Sequence, residues 1–265
     1  MRLATFVDGG RHRVAVVRSG RLLPADPRLT IGALAADPVA TRELRAWADA
    51  QPADDGIAVS DVALGPAVPD PGAIYTIGLN YDGPGAAPRP AVPLVYGKAA
   101  SSVGAPGATL SWDRSVSDDV DAEVELGVVV GVAGGVLGYT CVNDISARDP
   151  ALDGDQWLLG KSLPGFCPVG PWIVTADELD PTDLALGCRI DDRAIQDGRT
   201  SQMRVPVGEI LRYLGRHLEL RPGDLIATGT PVRLATPPGP GRRLRAGDRV
   251  TVWIEGIGEL TTHIA

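Results

Sequence analysis

Cysteine is scarce in this chain and badly placed for cross-links. Cys141, Cys167 and Cys188 are an odd number at wide spacing, with no C-x-x-C pair. That argues against a disulfide framework and against a structural zinc site. Reduced, mostly buried thiols in a cytoplasmic protein are the expectation. No window of 18 apolar residues occurs, so no membrane span is expected. Asp8 interrupts the N-terminal stretch before a signal-peptide core could form. Positive charge is also in short supply. Lys and Arg total 25 against 33 Asp and Glu, for a net charge of −8 and a pI near 4.9. This balance argues against a nucleic-acid surface.

The 265 residues suffice for one large domain, or for a small one beside a larger one, and 44% of them are hydrophobic, enough for a substantial core. Gly (33) and Pro (23) are plentiful but below a low-complexity level, which suits a β-rich fold with many tight turns. Residues 1–68 read as a small α/β module. Strand-like runs Leu3–Val7 and Arg13–Val17 flank Asp8-Gly9-Gly10, a hairpin signal. Asp37 before Pro38 reads as an N-cap with proline in the first turn, opening a helix that runs to about Ala50. The proline-rich stretch Pro66–Pro71 reads as a linker. Residues 69–265 read as one β-rich unit. Its candidate strands are Ile74–Gly78, Leu94–Tyr96, Ala122–Val130, Leu137–Val142, Trp172–Thr175, Leu184–Ile190, Leu225–Thr228 and Val250–Ile254. Apolar residues at helical spacing predict a helix over Val207–Leu218, stopped by Pro222-Gly223.

Within that unit, Glu123-Val124-Glu125 leads into the apolar run Val128-Val129-Val130. On a strand, alternate side chains share a face, so Glu123 and Glu125 point the same way. Two like charges side by side repel, and their burial is costly without compensation. A bound cation removes both problems. Asp144, after the β-rich segment Val136–Val142, offers a third oxygen donor. Carboxylates without Cys or His suit a hard ion, Mg²⁺ or Mn²⁺. Taken alone, the same E-x-E pattern also describes a solvated strand face.

Further motifs bear on the choice. Gly78-Leu79-Asn80-Tyr81, the E-x-E strand, Gly138-Tyr139-Thr140 with Asn143-Asp144, Gly160-Lys161-Ser162, Gly170-Pro171-Trp172, Pro222-Gly223-Asp224 and Thr228-Gly229-Thr230-Pro231 occur in that order. In this the chain resembles the fumarylacetoacetate hydrolase family. The resemblance implies an α+β, mostly β fold: a mixed β-roll core behind a small N-terminal α/β domain, usually as a homodimer. It implies a divalent metal on Glu123, Glu125 and Asp144, a small-molecule 2-oxo acid or 1,3-dicarbonyl substrate, and chemistry through a metal-stabilised enolate. By the same resemblance, Lys161 is the active-site lysine and Gln196 faces the pocket, with Tyr81 beside it. Thr230 and Gly229 form a turn suited to an anionic group. Arg148 either pins a substrate carboxylate or holds the neighbouring acids. Lys98 matches a family pattern too, and a structural role is open for it.

One departure matters. Hydrolytic members carry N-Y-x-x-H-x-x-E, whose His and Glu activate water. Here Pro84 and Ala87 stand at those places, and the Gly/Pro density of the segment opposes a lid helix. Asp82 is the one ionisable side chain between Tyr81 and Pro88, a weak substitute base. A second departure is the short connection Gly131–Val136 between the two central strands. The expectation is therefore enolate chemistry without activated water: decarboxylation, tautomerisation, isomerisation or specialised C–C cleavage. Two alternatives stand beside it, a C–C hydrolase with a different base and a non-catalytic binding protein.

Overall fold

The structure is a computed structural model, and it describes residues 1–52, 54–149, 155–234 and 243–265. The chain opens with β1 (Arg2–Asp8), β2 (Arg11–Arg18) and β3 (Arg21–Pro24). Helices α1 (Ile31–Ala36) and α2 (Pro38–Asp49) follow, then β4 (Ile57–Ala58). Asp8 pairs with Arg11 across a turn in which Gly9 and Gly10 both take positive φ (55° and 77°), the geometry a two-residue hairpin needs. Asp37 caps α2, its carboxylate accepting from the Val39 and Ala40 amides.

The remaining strands are β5 (Ile74–Gly78), β6 (Leu94–Lys98), β7 (Val103–Gly104), β8 (Thr109–Leu110), β9 (Val120–Asp121), β10 (Val124–Val130), β11 (Val136–Asn143), β12 (Ser146–Ala147) and β13 (Cys167–Thr175). After them come β14 (Ala185–Ile190), β15 (Arg193–Arg199), β16 (Leu225–Ala227), β17 (Arg249–Ile254) and β18 (Gly258–Ile264). Short helix α3 (Trp157–Lys161) precedes β13, and α4 (Val207–Gly215) precedes β16. The helix expected to reach Leu218 ends at Gly215, and one further turn closes on the Leu214 carbonyl.

A mixed sheet runs β4-β3-β2-β1-β13-β11-β10-β16-β5-β6, with β7 alongside β13. A second sheet runs β15-β14-β17-β18-β8. The main core lies between them: Val124, Leu126, Val128 and Val130 of β10 meet Leu186, Cys188, Val250 and Val252 in one apolar cluster. The opposite face of β10 is covered as well, since Val129 packs in a second cluster with Ile31, Leu34 and Leu44 of the helices. A strand buried on both faces has no polar side to show, which explains the unbroken Val128–Val130 run.

The segment read as a linker is packed rather than solvated. Ala67 and Val68 are buried, and the Ala67 amide donates to the Val169 carbonyl at 2.9 Å. β1 pairs with β13, and Met1 and Leu3 share a cluster with Val129 and Ile173. Sheet and core thus both run across residue 68. Among the described residues, no helix is long and apolar enough to cross a membrane.

Candidate metal centre

β10 and β11 form an antiparallel hairpin in which Val124 faces Asn143. The chain continues the pairing one step further, where the Asp144 amide donates to the Glu123 carbonyl at 2.9 Å. This brings Asp144 beside the E-x-E pair despite the short connection between the strands. One ligand atom from each of Glu123, Glu125 and Asp144 lies within 4.8 Å of the others. Glu125 and Asp144 are buried and Glu123 is partly so.

Basic residues answer two of the three. The chain has only two lysines, Lys98 and Lys161, and both reach Asp144. Lys98 Nζ donates to Asp144 Oδ1 at 2.6 Å and to the Ile145 carbonyl at 3.0 Å. Lys161 Nζ donates to Asp144 Oδ2 and, at 3.0 Å, to Ser146 Oγ, and lies 3.8 Å from Glu123. Arg148 Nη2 donates to Glu123 Oε1 at 2.6 Å and also holds Asp121. Burial would raise the Asp144 pKa, but Lys161 and Lys98 outweigh it and hold the carboxyl at about 2. Burial would likewise lower the Lys161 pKa, and Asp144 with Glu123 and Glu125 reverses the sign, so Lys161 stays protonated. Glu125 is the exception. Burial, then Asp144 and Glu123, push its carboxyl well above the usual range against the opposing pull of Lys161. The Gly229 amide, donating at 2.7 Å, is its hydrogen-bond partner. A buried carboxylate between two others, with no ion pair of its own among the described residues, is what a divalent cation compensates. The donor set fits such an ion.

These carboxylates line a cavity of about 420 Å³ together with Thr76, Leu79, Tyr81, Tyr96, Arg148, Trp157, Lys161, Gln196, Arg204, Thr230, Val232 and Arg233. Gln196 is buried: its side chain donates to Thr230 Oγ1 at 2.7 Å and the Pro231 carbonyl at 2.8 Å, and accepts from the Val124 amide. Thr230 Oγ1 in turn donates to the Val124 carbonyl at 2.8 Å. The turn expected to hold an anion is therefore bound to β10 and Glu125, with the Thr230 hydroxyl and the Gly229 amide both engaged. Gly229 takes a φ of +96°, and a Cβ there would stand 2.7 Å from Asn80 Cβ and 2.8 Å from the Ile77 carbonyl oxygen, so the close turn admits no side chain. Tyr81 lines the cavity with its hydroxyl buried and unpartnered. Burial, then the nearby Glu125 charge, raises its pKa and keeps it a donor.

Asp82 is not brought to the cavity. Its side chain is 67% exposed and accepts from Arg204 Nε at 2.8 Å. The described residues 82–93 contain no helix, in keeping with their Gly and Pro content. Several lining residues escaped the sequence reading, among them Trp157, Val232, Arg233 and two whose bonding bears on the site, Thr76 and Arg204. Thr76 lies opposite both Ala227 and Tyr96 on the sheet face that carries Glu125, and its buried hydroxyl has no partner. Arg204 ties the loop above the cavity through Asp82 and the Leu79 and Ala87 carbonyls. No local pattern marks either. The lysine pair had a signal in composition: two lysines among 25 basic residues is a count that singles them out.

Comparison with known proteins places this geometry. Residues 73–265 match the family model of the fumarylacetoacetate (FAA) hydrolase C-terminal domain. A putative HpcE protein from Mycobacterium smegmatis is 33% identical, with a TM-score of 0.85 and 100% of both chains covered. A 2-hydroxyhepta-2,4-diene-1,7-dioate isomerase from Mycobacterium marinum is 29% identical, with a TM-score of 0.75 over 100% of this chain and 98% of that one. Maleylpyruvate hydrolase from Sphingobium sp. SYK-6, solved with manganese(II) and pyruvate, is 28% identical, with a TM-score of 0.81 over 100% and 99%. The fold agrees with these structures, and the chain belongs to the fumarylacetoacetate hydrolase family.

Proposed function

We propose that the protein is a divalent-metal-dependent enzyme, using Mg²⁺ or Mn²⁺, that acts on a small 2-oxo acid or 1,3-dicarbonyl compound by moving protons or releasing CO₂, without an activated water. The observation that carries this reading is the buried, uncompensated Glu125 between Glu123 and Asp144 in a cavity whose overlying loop offers no base. When bound to the three carboxylates, a divalent ion supplies Lewis acidity to substrate oxygens. The chain's own groups do the rest. Lys161, kept protonated by Asp144, holds positive charge and a transferable proton at Nζ where an enolate would form. Tyr81 and Thr76 offer free hydroxyls to substrate oxygens. Arg148, bound to Glu123 and Asp121, positions the Glu123 carboxylate. Gln196 and Thr230 brace Val124, the residue between the two glutamates.

One relative is an isomerase, which supports the proton-moving part of the reading, and the hydrolase crystallised with manganese and pyruvate supports the metal and the 2-oxo acid only. The proposed enzyme is a cytoplasmic homodimer, a state that sedimentation velocity tests directly. The reaction is tested by proton NMR of pyruvate and oxaloacetate in D₂O with Mn²⁺-loaded protein. α-Proton exchange or CO₂ release, lost in Lys161→Ala, is the expected result. Rapid cleavage of acetylpyruvate to pyruvate and acetate would sink the claim that no water is activated.

A further inference from the structure

Four cations line the cavity: Arg148, Lys161, Arg204 and Arg233. Each is already answered by the chain itself. Arg148 is held by Asp121 and Glu123, and Lys161 by Asp144. Arg233 Nη2 lies 2.9 Å from Asp121 and donates to the Ala122 carbonyl at 2.8 Å. Arg204 spends its guanidinium on Asp82 and on two carbonyls of the overlying loop, at 2.7–3.0 Å. Among the described residues, no lining cation has an unanswered charge to offer a second anionic group.

The rest of the wall is apolar. Tyr96 and Trp157 pair with ring centroids 5.2 Å apart, and both line the cavity. Leu79 lines it too, with 51% of its surface exposed. Its backbone sits at φ +52°, a conformation that strains a leucine, and the Arg204 bond to its carbonyl helps hold it there. A Cβ on Gly83 would stand 3.3 Å from Val232, so the loop after Tyr81 and the loop after Thr230 close on each other around this wall. An exposed leucine held in a strained conformation beside two aromatic rings is costly unless something apolar covers it.

We infer that the substrate carries its oxo-acid head at the carboxylate triad and an alkyl or aryl group, not a second carboxylate, at its other end. This rests on the function proposed above. A carboxylate pressed against Leu79, Tyr96 and Trp157 would lose its water and meet no free cation. An aryl group would exchange water for ring and leucine contacts. Other arginines lie nearby: Arg89, which donates to the Arg204 carbonyl at 2.7 Å, Arg212 and Arg216 line a neighbouring cavity of about 260 Å³ together with Glu209, and Leu79 and Arg204 line it too. A dicarboxylate would have to pass Leu79 to reach them.

The test is calorimetry of the Mn²⁺-loaded protein with pyruvate, 2-oxo-4-phenylbutanoate and 2-oxoglutarate. The phenyl acid is expected to bind about tenfold or more tighter than 2-oxoglutarate. Trp157→Ala is expected to narrow that ratio. Equal or tighter binding of 2-oxoglutarate overturns the inference while leaving the metal-centre reading intact, and would direct attention to Arg89 and Arg212. An unchanged ratio in folded Trp157→Ala also counts against it. Failure to bind any of the three acids, pyruvate included, overturns the underlying function and the inference with it.

Discussion

Replacing Glu125 with Gln separates stability from metal binding in a way the site's geometry dictates. Glutamine keeps the shape and retains an oxygen for the Gly229 amide, but relieves a cluster, whose ligand atoms lie within 4.8 Å of one another, of a group that must either carry a negative charge there or take up a proton to avoid it. One unscreened pair of like charges at 4.8 Å costs roughly 3.5 kcal/mol at an effective dielectric constant of about 20. Lys98 and Lys161 answer Asp144, and Arg148 answers Glu123, so the net relief is smaller, on the order of 1–2 kcal/mol. In metal-free buffer at pH 7.5, Glu125→Gln is expected to melt about 2–8 °C above the wild type. Saturating Mn²⁺ reverses the order. At a hundred times its dissociation constant the ion adds about 2.7 kcal/mol to the wild type, while the variant, lacking one of three charged ligands, gains little. Scanning calorimetry with EDTA and with Mn²⁺ reads both halves. A variant that melts below the wild type in EDTA, or that gains as much from Mn²⁺, refutes the reasoning.

Three more expectations follow from the same geometry. Glu125 has a raised folded-state pKa, so between the ordinary carboxylate range and that higher value the native apo-protein holds a proton that the unfolded chain has released; stability of the apo-protein therefore falls as pH rises through this window. Metal must displace that proton, so within this window Mn²⁺ affinity rises with pH, and calorimetry in buffers of different ionisation heat should show net proton release on binding. Lys98→Met leaves Asp144 with half its ion pairing in a fully buried place and is expected to cost about 3–5 kcal/mol in urea unfolding; a loss under about 1 kcal/mol would contradict the charge assignment. Arg204→Met removes three bonds to the overlying loop, and hydrogen exchange of residues 79–89 should quicken while β10 and β11 stay protected; an unchanged loop would show that the prolines alone hold it.

Some of this was legible along the chain because the relevant rules are local. Alternation on a strand puts Glu123 and Glu125 on one face whatever the rest does. A six-residue connection between two apolar runs implies a hairpin, and a hairpin returns Asp144 to Glu123. The Asp37-Pro38 start of α2 and the Gly9-Gly10 turn are decided within a few residues. The strand Arg193–Arg199 is not among the expected strands, since its polar run RAIQDGR carries no alternating apolar pattern. Its one deeply buried polar side chain, Gln196, is satisfied by Thr230 and Pro231 from another part of the chain.

The sequence by itself determined the β-rich class, the order of the family motifs and the acidic triad, since each depends on residue type and short spacing. Only the tertiary structure decided what each charge faces. Asp144 meets Lys98 from 46 residues away, Glu125 meets the Gly229 amide across 104, and Asp82 is drawn off to Arg204 across 122. Electrostatic energy depends on distance in space and on burial, and neither can be counted along a chain. That is why a loop aspartate read as a substitute base turns out to brace the roof of the cavity. It is also why Glu125, one of two similar glutamates in sequence, is the one left without an ion pair among the described residues.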